Sequence, residues 1–497
     1  MKKPSLIVLF LAFSVQSNIL ICQKDGAYLK PFDSSEDDRI NFLPGLSRQP
    51  AFGQFSGYLT GSSDNFQLHY WFIEASENSD RAPLILWLNG GPGCSSMEGL
   101  LDECGPFKLV DAKHLEENLW SWNKFANILY LESPVGVGFS YSKDGNVTSD
   151  DDMTSLNTYH ALLNFLEKFP AYKKRDFYIT GESYGGVYIP SLATRILKSK
   201  PKDLILKGIA VGNGLNSYRF NDNSLLYFIY YHGLIDESLW NSALAACCGS
   251  QCASKCMFTD NNSLACQSAV STILVTLSGL DLYNLYSKCA GGVPTAFSRN
   301  NLFPLHPTNS GSFRPDAGNL FRSNIVRQAL IGFTRPTKNL ILPCVDDSVI
   351  TDYLNSPAVM KAIHVTLPPM SKWALCSEEV YANYVRTYTD MSDHYQLLLD
   401  AKIRVLVYYG DTDMACNYLG GLWFVDNFNF KLDRPMEHWL FEDLDKTNQV
   451  GGVHKVLKSP RGDLWYATIR GAGHMVPRDQ PVAMYHLITS FISGKEL

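Results

Sequence analysis

Long apolar runs are scarce in this chain of 497 residues. Beyond the N-terminus no segment reaches the ~18 uninterrupted apolar residues of a membrane-crossing helix, so no membrane span is expected and the mature protein should be soluble. Blocks of like charge are also missing. With 43 basic against 49 acidic side chains and a formal net charge of −6, the chain offers no basic surface for nucleic acid and no charged interaction tail. It has no internal repeat. No histidine lies among Cys247, Cys248, Cys252, Cys256 and Cys266, which weighs against zinc in that cluster and favours disulfides. No metal or cofactor is expected.

What is present describes an exported globule. Lys2-Lys3 precede the apolar stretch Leu6 to Phe13, the layout of a cleaved secretory signal; the signal is expected over residues 1–22, with cleavage between Ser17 and Lys24. Twelve cysteines in an exported chain point to disulfides. Sequons at Asn146-Val147-Thr148 and Asn261-Asn262-Ser263 mark Asn146 and Asn261 as glycosylation sites.

The most informative segment is Gly181-Glu182-Ser183-Tyr184-Gly185, which follows the strand-like Phe177 to Thr180 and precedes the helix-like Val187 to Leu197. Strand, Gly-x-Ser-x-Gly, helix is a nucleophile elbow. Small flanking residues let the chain turn sharply enough to hold a serine Oγ exposed above a parallel sheet, against the N-terminus of the next helix. Ser183 is therefore the candidate nucleophile.

A serine hydroxyl needs a base, and the base an orienting carboxylate. Ile403 to Tyr409 reads as a buried strand ending in Gly410-Asp411-Thr412-Asp413, and Leu464 to Ile469 as another, followed by Gly471-Ala472-Gly473-His474. Catalytic groups gather at the carboxyl ends of such strands. His474 is the candidate base; Asp411 and Asp413 share one loop, and residue chemistry leaves both open as the acid. A third strand, Leu84 to Leu88, runs into Asn89-Gly90-Gly91-Pro92-Gly93. No phosphate-binding spacing follows it, and its free amides suit an oxyanion, with Gly91 and Tyr184 as donors.

These segments, together with Trp87 to Ser96, Glu103 with Gly105-Pro106-Phe107, Asn118 to Asn123, Glu132 to Tyr141, Gly212-Asn213-Gly214 and Asp413 to Asn417, closely resemble the serine carboxypeptidases. The resemblance spans nearly the whole mature chain. It implies an α/β-hydrolase fold, a central mostly parallel sheet with an inserted disulfide-rich cap, and Asp413 as the acid. It further implies that Asn89, Gly90, Glu103 and Glu182, with Trp87, hold the terminal carboxylate of a peptide substrate. Two carboxyl groups can face a third only if they keep their protons, which burial and like charge favour. The expected activity is therefore acid-favouring removal of C-terminal residues. Acyl transfer or ester hydrolysis by the same triad is the rival enzyme reading. The resemblance also permits a homodimer, a stabilising role toward lysosomal glycosidases, and a lysosomal or secreted destination.

By the same resemblance the disulfides are Cys94–Cys376, Cys247–Cys266, Cys248–Cys256 and Cys289–Cys344, with Cys416 a free thiol; Cys104 and Cys252 depart from the pattern. The organisation read from the chain is a core over 23–214 and 346–497, interrupted by a cap over 215–345. Within the cap, Gly291 to Pro343 is polar and irregular, carries Arg299, Arg335 and Lys338, and is bracketed by Cys289 and Cys344. It is expected to cover the active site of a precursor until cut.

Overall fold

Leu84-Ile85-Leu86-Trp87-Leu88 is buried at every position, as is Asn127-Ile128-Leu129-Tyr130-Leu131. Continuous apolar strands of this kind fit only a sheet covered on both faces. The computed structural model describes residues 35–249, 255–277, 279–290, 292, 344–365, 372–458 and 462–497. The expected signal segment, Cys252 and nearly all of the expected covering segment lie outside them.

The main sheet contains β1 (Gln54–Thr60), β2 (Phe66–Ile73), β3 (Leu84–Leu88), β4 (Asn127–Leu131), β5 (Asp176–Glu182), β6 (Ile205–Gly212), β7 (Arg404–Gly410), β8 (Lys431–Glu442), β9 (Asn448–Lys458) and β10 (Asp463–Ile469). Across the sheet they run β1-β2-β4-β3-β5-β6-β7-β10-β9-β8. The five central pairings, from β4–β3 to β7–β10, are parallel. Antiparallel pairs close both sides. This mixed, mostly parallel sheet with helices on its faces is an α/β-hydrolase fold.

Alternation divides the central strands between two cores. Leu86 and Leu88 of β3 join Leu129, Ile179 and Val407 on one face, beneath α1 (Asp151–Lys168) and α2 (Gly185–Ser199). Ile85 and Trp87 join Tyr130, Tyr178 and Leu406 on the other. Asp150 caps α1, its side chain accepting from Met153 N at 2.7 Å. That contact supplies a partner to an otherwise unpaired amide of the first turn.

Between β6 and β7 the described chain is helical. α3 (Tyr218–Tyr231), α4 (Glu237–Cys248) and α5 (Leu264–Val275) enclose a third core around Phe228, Trp240, Phe258 and Ile273. Cys247–Cys266 and Cys248–Cys256 are bonded within it, Cys289–Cys344 brackets the chain beyond it, and Cys94–Cys376 joins the loop after β3 to the second core. The helix-like sequence from Val380 to Leu399 forms two short helices, Glu378–Asn383 and Ser392–Asp400. Between them Thr387 N and Tyr388 N donate to the buried Asp151 carboxylate, so those amides are unavailable to a continuous helix. No described helix is long and apolar enough to cross a membrane.

Candidate active site

Glu182, the last residue of β5, pairs with Gly212 of β6. The chain then turns through Ser183 at φ +62°, a left-handed conformation that costs a non-glycine residue about 1–3 kcal/mol and persists only where its surroundings enforce it. Ser183 N donates to Gly212 O at 3.1 Å, and Ser183 O accepts from Gly186 N at 2.9 Å and Leu215 N at 3.0 Å. α2 starts two residues later and directs the positive end of its dipole at the turn. The loop after β3 is packed against this elbow. A Cβ on Gly90 would stand 2.7 Å from Ser183 Cβ and collide with Tyr184 N, so only glycine brings the two segments this close. Gly91 follows at φ +113°. The Tyr184 phenol is held by Asp151 Oδ1 at 2.8 Å, which fixes the residue whose amide opens the turn of α2.

β7 and β10 end side by side, with Gly410 opposite Ile469, and each continues into one further loop. His474 Nδ1 stands 2.7 Å from Asp413 Oδ2, and both side chains are buried. Asp413 Oδ2 also accepts from Asn213 Nδ2 at 2.8 Å and Cys416 N at 3.1 Å, and Oδ1 from Ala415 N at 2.9 Å. Surrounded by donors, Asp413 is an acceptor. The proton on the shared line therefore belongs to Nδ1, and Nε2 is left free to take one. The neighbouring Asp411 has a different task, its Oδ1 accepting from Gly471 N at 2.7 Å. The structure thus separates two aspartates that residue chemistry alone left equivalent.

Beside the elbow, three carboxyl groups surround one amide. Asn89 Nδ2 lies 3.0 Å from Glu182 Oε1, 3.4 Å from Glu103 Oε1 and 3.3 Å from Glu98 Oε2. Asn89 Oδ1 accepts from Trp87 Nε1 at 2.6 Å and Gly99 N at 3.3 Å, which fixes the NH₂ toward the carboxyls. Two N–H hydrogens cannot neutralise three carboxylates, and Glu103 Oε2 is buried with no partner among the described residues. Burial, then the charge of Glu98, pushes the Glu103 carboxyl up to about 8. Burial and Glu103 hold Glu182 well above the usual carboxyl range. Glu98 rises to about 7 through burial and Asp102, opposed by Arg478. Glu98 was not among the sequence candidates. Its only sequence signal is spacing: it falls five residues before Glu103 on a helical turn, Gly99–Glu103, wound with a π-type bulge that brings both carboxyls to Asn89.

This cluster has a consequence for stability. A folded carboxyl near 8 retains a proton that the unfolded chain, near 4.5, has already lost, so stability is greatest below the unfolded value and falls as pH rises through the folded one. Melting temperature should decline from about pH 5 to pH 8, with a loss on the order of a few kcal/mol. Glu103→Gln should flatten that decline, and an unchanged slope in the variant would count against the assignment.

Cys104 and Cys416 are free and buried. Burial pushes both thiols up, which removes the thiolate and with it their nucleophilicity. Cys104 lies 3.4 Å from Tyr130 OH, and Cys416 serves through its backbone N–H on Asp413. Of the two sequons, Asn146 is exposed, whereas Asn261 Nδ2 donates to Cys247 O at 2.7 Å.

Residues 44–494 match the family model described as serine carboxypeptidase. The chain is 42% identical over 465 residues to the lysosomal protective protein of Mus musculus, covering 92% of this chain and 94% of that protein. It is 38% identical over 472 residues to a serine carboxypeptidase of Caenorhabditis elegans, with the same coverages. Among solved structures, the prohormone-processing carboxypeptidase Kex1 of Saccharomyces cerevisiae superposes with a TM-score of 0.68 at 23% identity, over 93% of this chain and 97% of that one, which extends the likeness to the fold. A family match running through the elbow, the Asp413–His474 loops and the Asn89 cluster places this chain in the serine carboxypeptidase family.

Proposed function

We propose that the protein cleaves C-terminal residues from peptides at acid pH through a covalent acyl-enzyme. Ser183 Oγ attacks the last peptide carbonyl while His474 Nε2 takes its proton. Asp413 holds the imidazole by Nδ1 and stabilises the imidazolium that forms. The amides of Gly91 and Tyr184 carry the negative charge of the tetrahedral oxygen. On its collapse the C–N bond breaks, and His474 returns the proton to the departing amine. Water then repeats the sequence, releasing the shortened peptide and restoring Ser183.

The observation that carries this reading is the carboxyl cluster on Asn89, one residue from the Gly90 that touches the elbow. Protonated Glu103 and Glu182 are hydrogen-bond donors for a terminal carboxylate. An esterase or acyltransferase has no carboxylate at that point to be met. A site built to meet a terminal carboxylate suits removal from a chain end rather than internal cleavage. The disulfides and the lysosomal relative support an acidic compartment reached by export, where those carboxyls keep their protons.

The test compares one peptide series with free and amidated C-termini at acid and neutral pH, following amino acids released with time. Single residues should leave the free-acid peptides in order, fastest at acid pH, and the amides should react far more slowly. Equal rates on both series, or internal fragments as the first products, would overturn the reading.

A further inference from the structure

The loops bearing Asp413 and His474 are joined by a strap that the sequence did not single out. Leu282 O accepts from Met414 N at 2.9 Å and Ala415 N at 3.1 Å, Tyr283 O from His474 N at 2.7 Å, and Leu285 N donates to Thr412 O at 3.0 Å. The Tyr283 ring stands edge-on to the His474 ring, 5.0 Å between centroids. The two loops also touch directly, through Thr412 N to Ala472 O at 2.9 Å and through Asp411 and Gly471.

Within the strap, the side chain of Asn284 is buried and bridges the residues that precede the pair. Its Nδ2 donates to Asp479 Oδ2 at 2.9 Å, and the same Asp479 oxygen accepts from Gly473 N at 2.8 Å, next to His474. Its Oδ1 accepts from Tyr286 N at 3.2 Å and from Thr412 Oγ1 at 3.0 Å, next to Asp413. Thr412 shares that proton with Ala472 O at 2.8 Å. The amide cannot be reversed, because its oxygen would then face the Asp479 carboxylate and its NH₂ the Tyr286 N–H. Only a neutral group that donates on one side and accepts on the other fits. A carboxylate would face Asp479, and an apolar side chain would leave buried groups unpaired.

We propose that Asn284 is a positioning residue for the reaction, setting the separation of the Asp413 and His474 loops and hence the aim of the imidazole at Ser183. The proposal rests on the reading of Asp413 and His474 as the catalytic pair. A misplacement of about 1 Å in such a pair costs on the order of 10²-fold in rate, and the amide bridge acts on both loops one residue from the groups concerned.

Two variants test it. Asn284→Ala should lower kcat by roughly 10- to 100-fold with KM nearly unchanged. It should also move the low-field proton resonance of the His474 Nδ1–H on Asp413, identified by its loss in Asp413→Asn. Asn284→Asp is isosteric and keeps the acceptor for Thr412 and Tyr286, but sets a carboxylate against Asp479. Its loss should be greatest at neutral pH and shrink as the pH falls and one carboxyl takes a proton. Active sites are counted with a covalent serine reagent, so kcat refers to folded enzyme, and Asn284→Asp carries the test if Asn284→Ala does not fold. Native kcat per active site with an unmoved resonance in either variant would overturn the proposal. Full turnover in Ser183→Ala would overturn the catalytic reading instead, and the resonance reports on Asn284 without reference to turnover.

Discussion

Ser183→Ala and His474→Ala should each fold, form their disulfides and lose hydrolysis by roughly 10⁴- to 10⁶-fold. The size follows from the members acting as one unit. Without Ser183 Oγ no acyl-enzyme forms, and without His474 the hydroxyl keeps its proton, so either loss leaves only binding and the oxyanion donors. The double variant should be scarcely worse than either single one, a non-additivity that independent contributions would not give. Neither change disturbs the fold: Ser183 Oγ is not part of the backbone contacts that hold the elbow, and the partners of Asp413 include Asn213, Ala415 and Cys416 besides His474. Initial rates on a free-acid peptide, with melting curves as a control for folding, check the expectation. Near-native turnover in well-folded Ser183→Ala would remove Ser183 from the mechanism.

Much of this architecture was legible because its central strands are apolar on both faces. Leu84 to Leu88, Phe177 to Thr180, Ile403 to Tyr409 and Leu464 to Ile469 all read as strands and stand in one sheet as β3, β5, β7 and β10. The outer strands gave weaker signals. β8 and β9 form an antiparallel hairpin whose sequence, Lys431-Leu432-Asp433-Arg434-Pro435 and onward, mixes charges and a proline with apolar residues, and bulges interrupt its register at three points. An edge strand needs no continuous apolar run, and proline is tolerated there. The site was legible where loops follow central strands. Glu98 and Asn284 were not, because neither belongs to a motif: one reaches Asn89 through a bulged helical turn, and the other acts across 195 positions on Asp479. Contacts of that kind are set by the packing of remote segments, which local pattern does not report.

The second large effect concerns pH. Because burial and mutual charge raise Glu103, Glu182 and Glu98 above the ordinary carboxyl range, all three are protonated at acid pH. Glu98, near 7, ionises before Glu103, near 8. Protonated, they donate to the substrate's carboxylate; ionised, they repel it. Raising the pH therefore weakens binding of the free-acid substrate, and a single rate profile mixes that trend with the triad's own. The ratio of kcat/KM for a free-acid peptide to that for its amide removes the triad's contribution, since both substrates use the same serine and histidine. Charge-assisted hydrogen bonds are worth about 1.5–3 kcal/mol, so the ratio should fall by roughly 10- to 100-fold between about pH 5 and pH 8 in the native enzyme. Glutamine keeps a donor and cannot ionise. Glu98→Gln should lessen the fall, Glu98→Gln with Glu103→Gln should lessen it further, and adding Glu182→Gln should leave the ratio nearly flat, while the amide alone changes little in any variant. A ratio that falls as steeply in the triple variant as in the native enzyme would show that the acid preference arises elsewhere and that these glutamates do not meet the substrate's terminus.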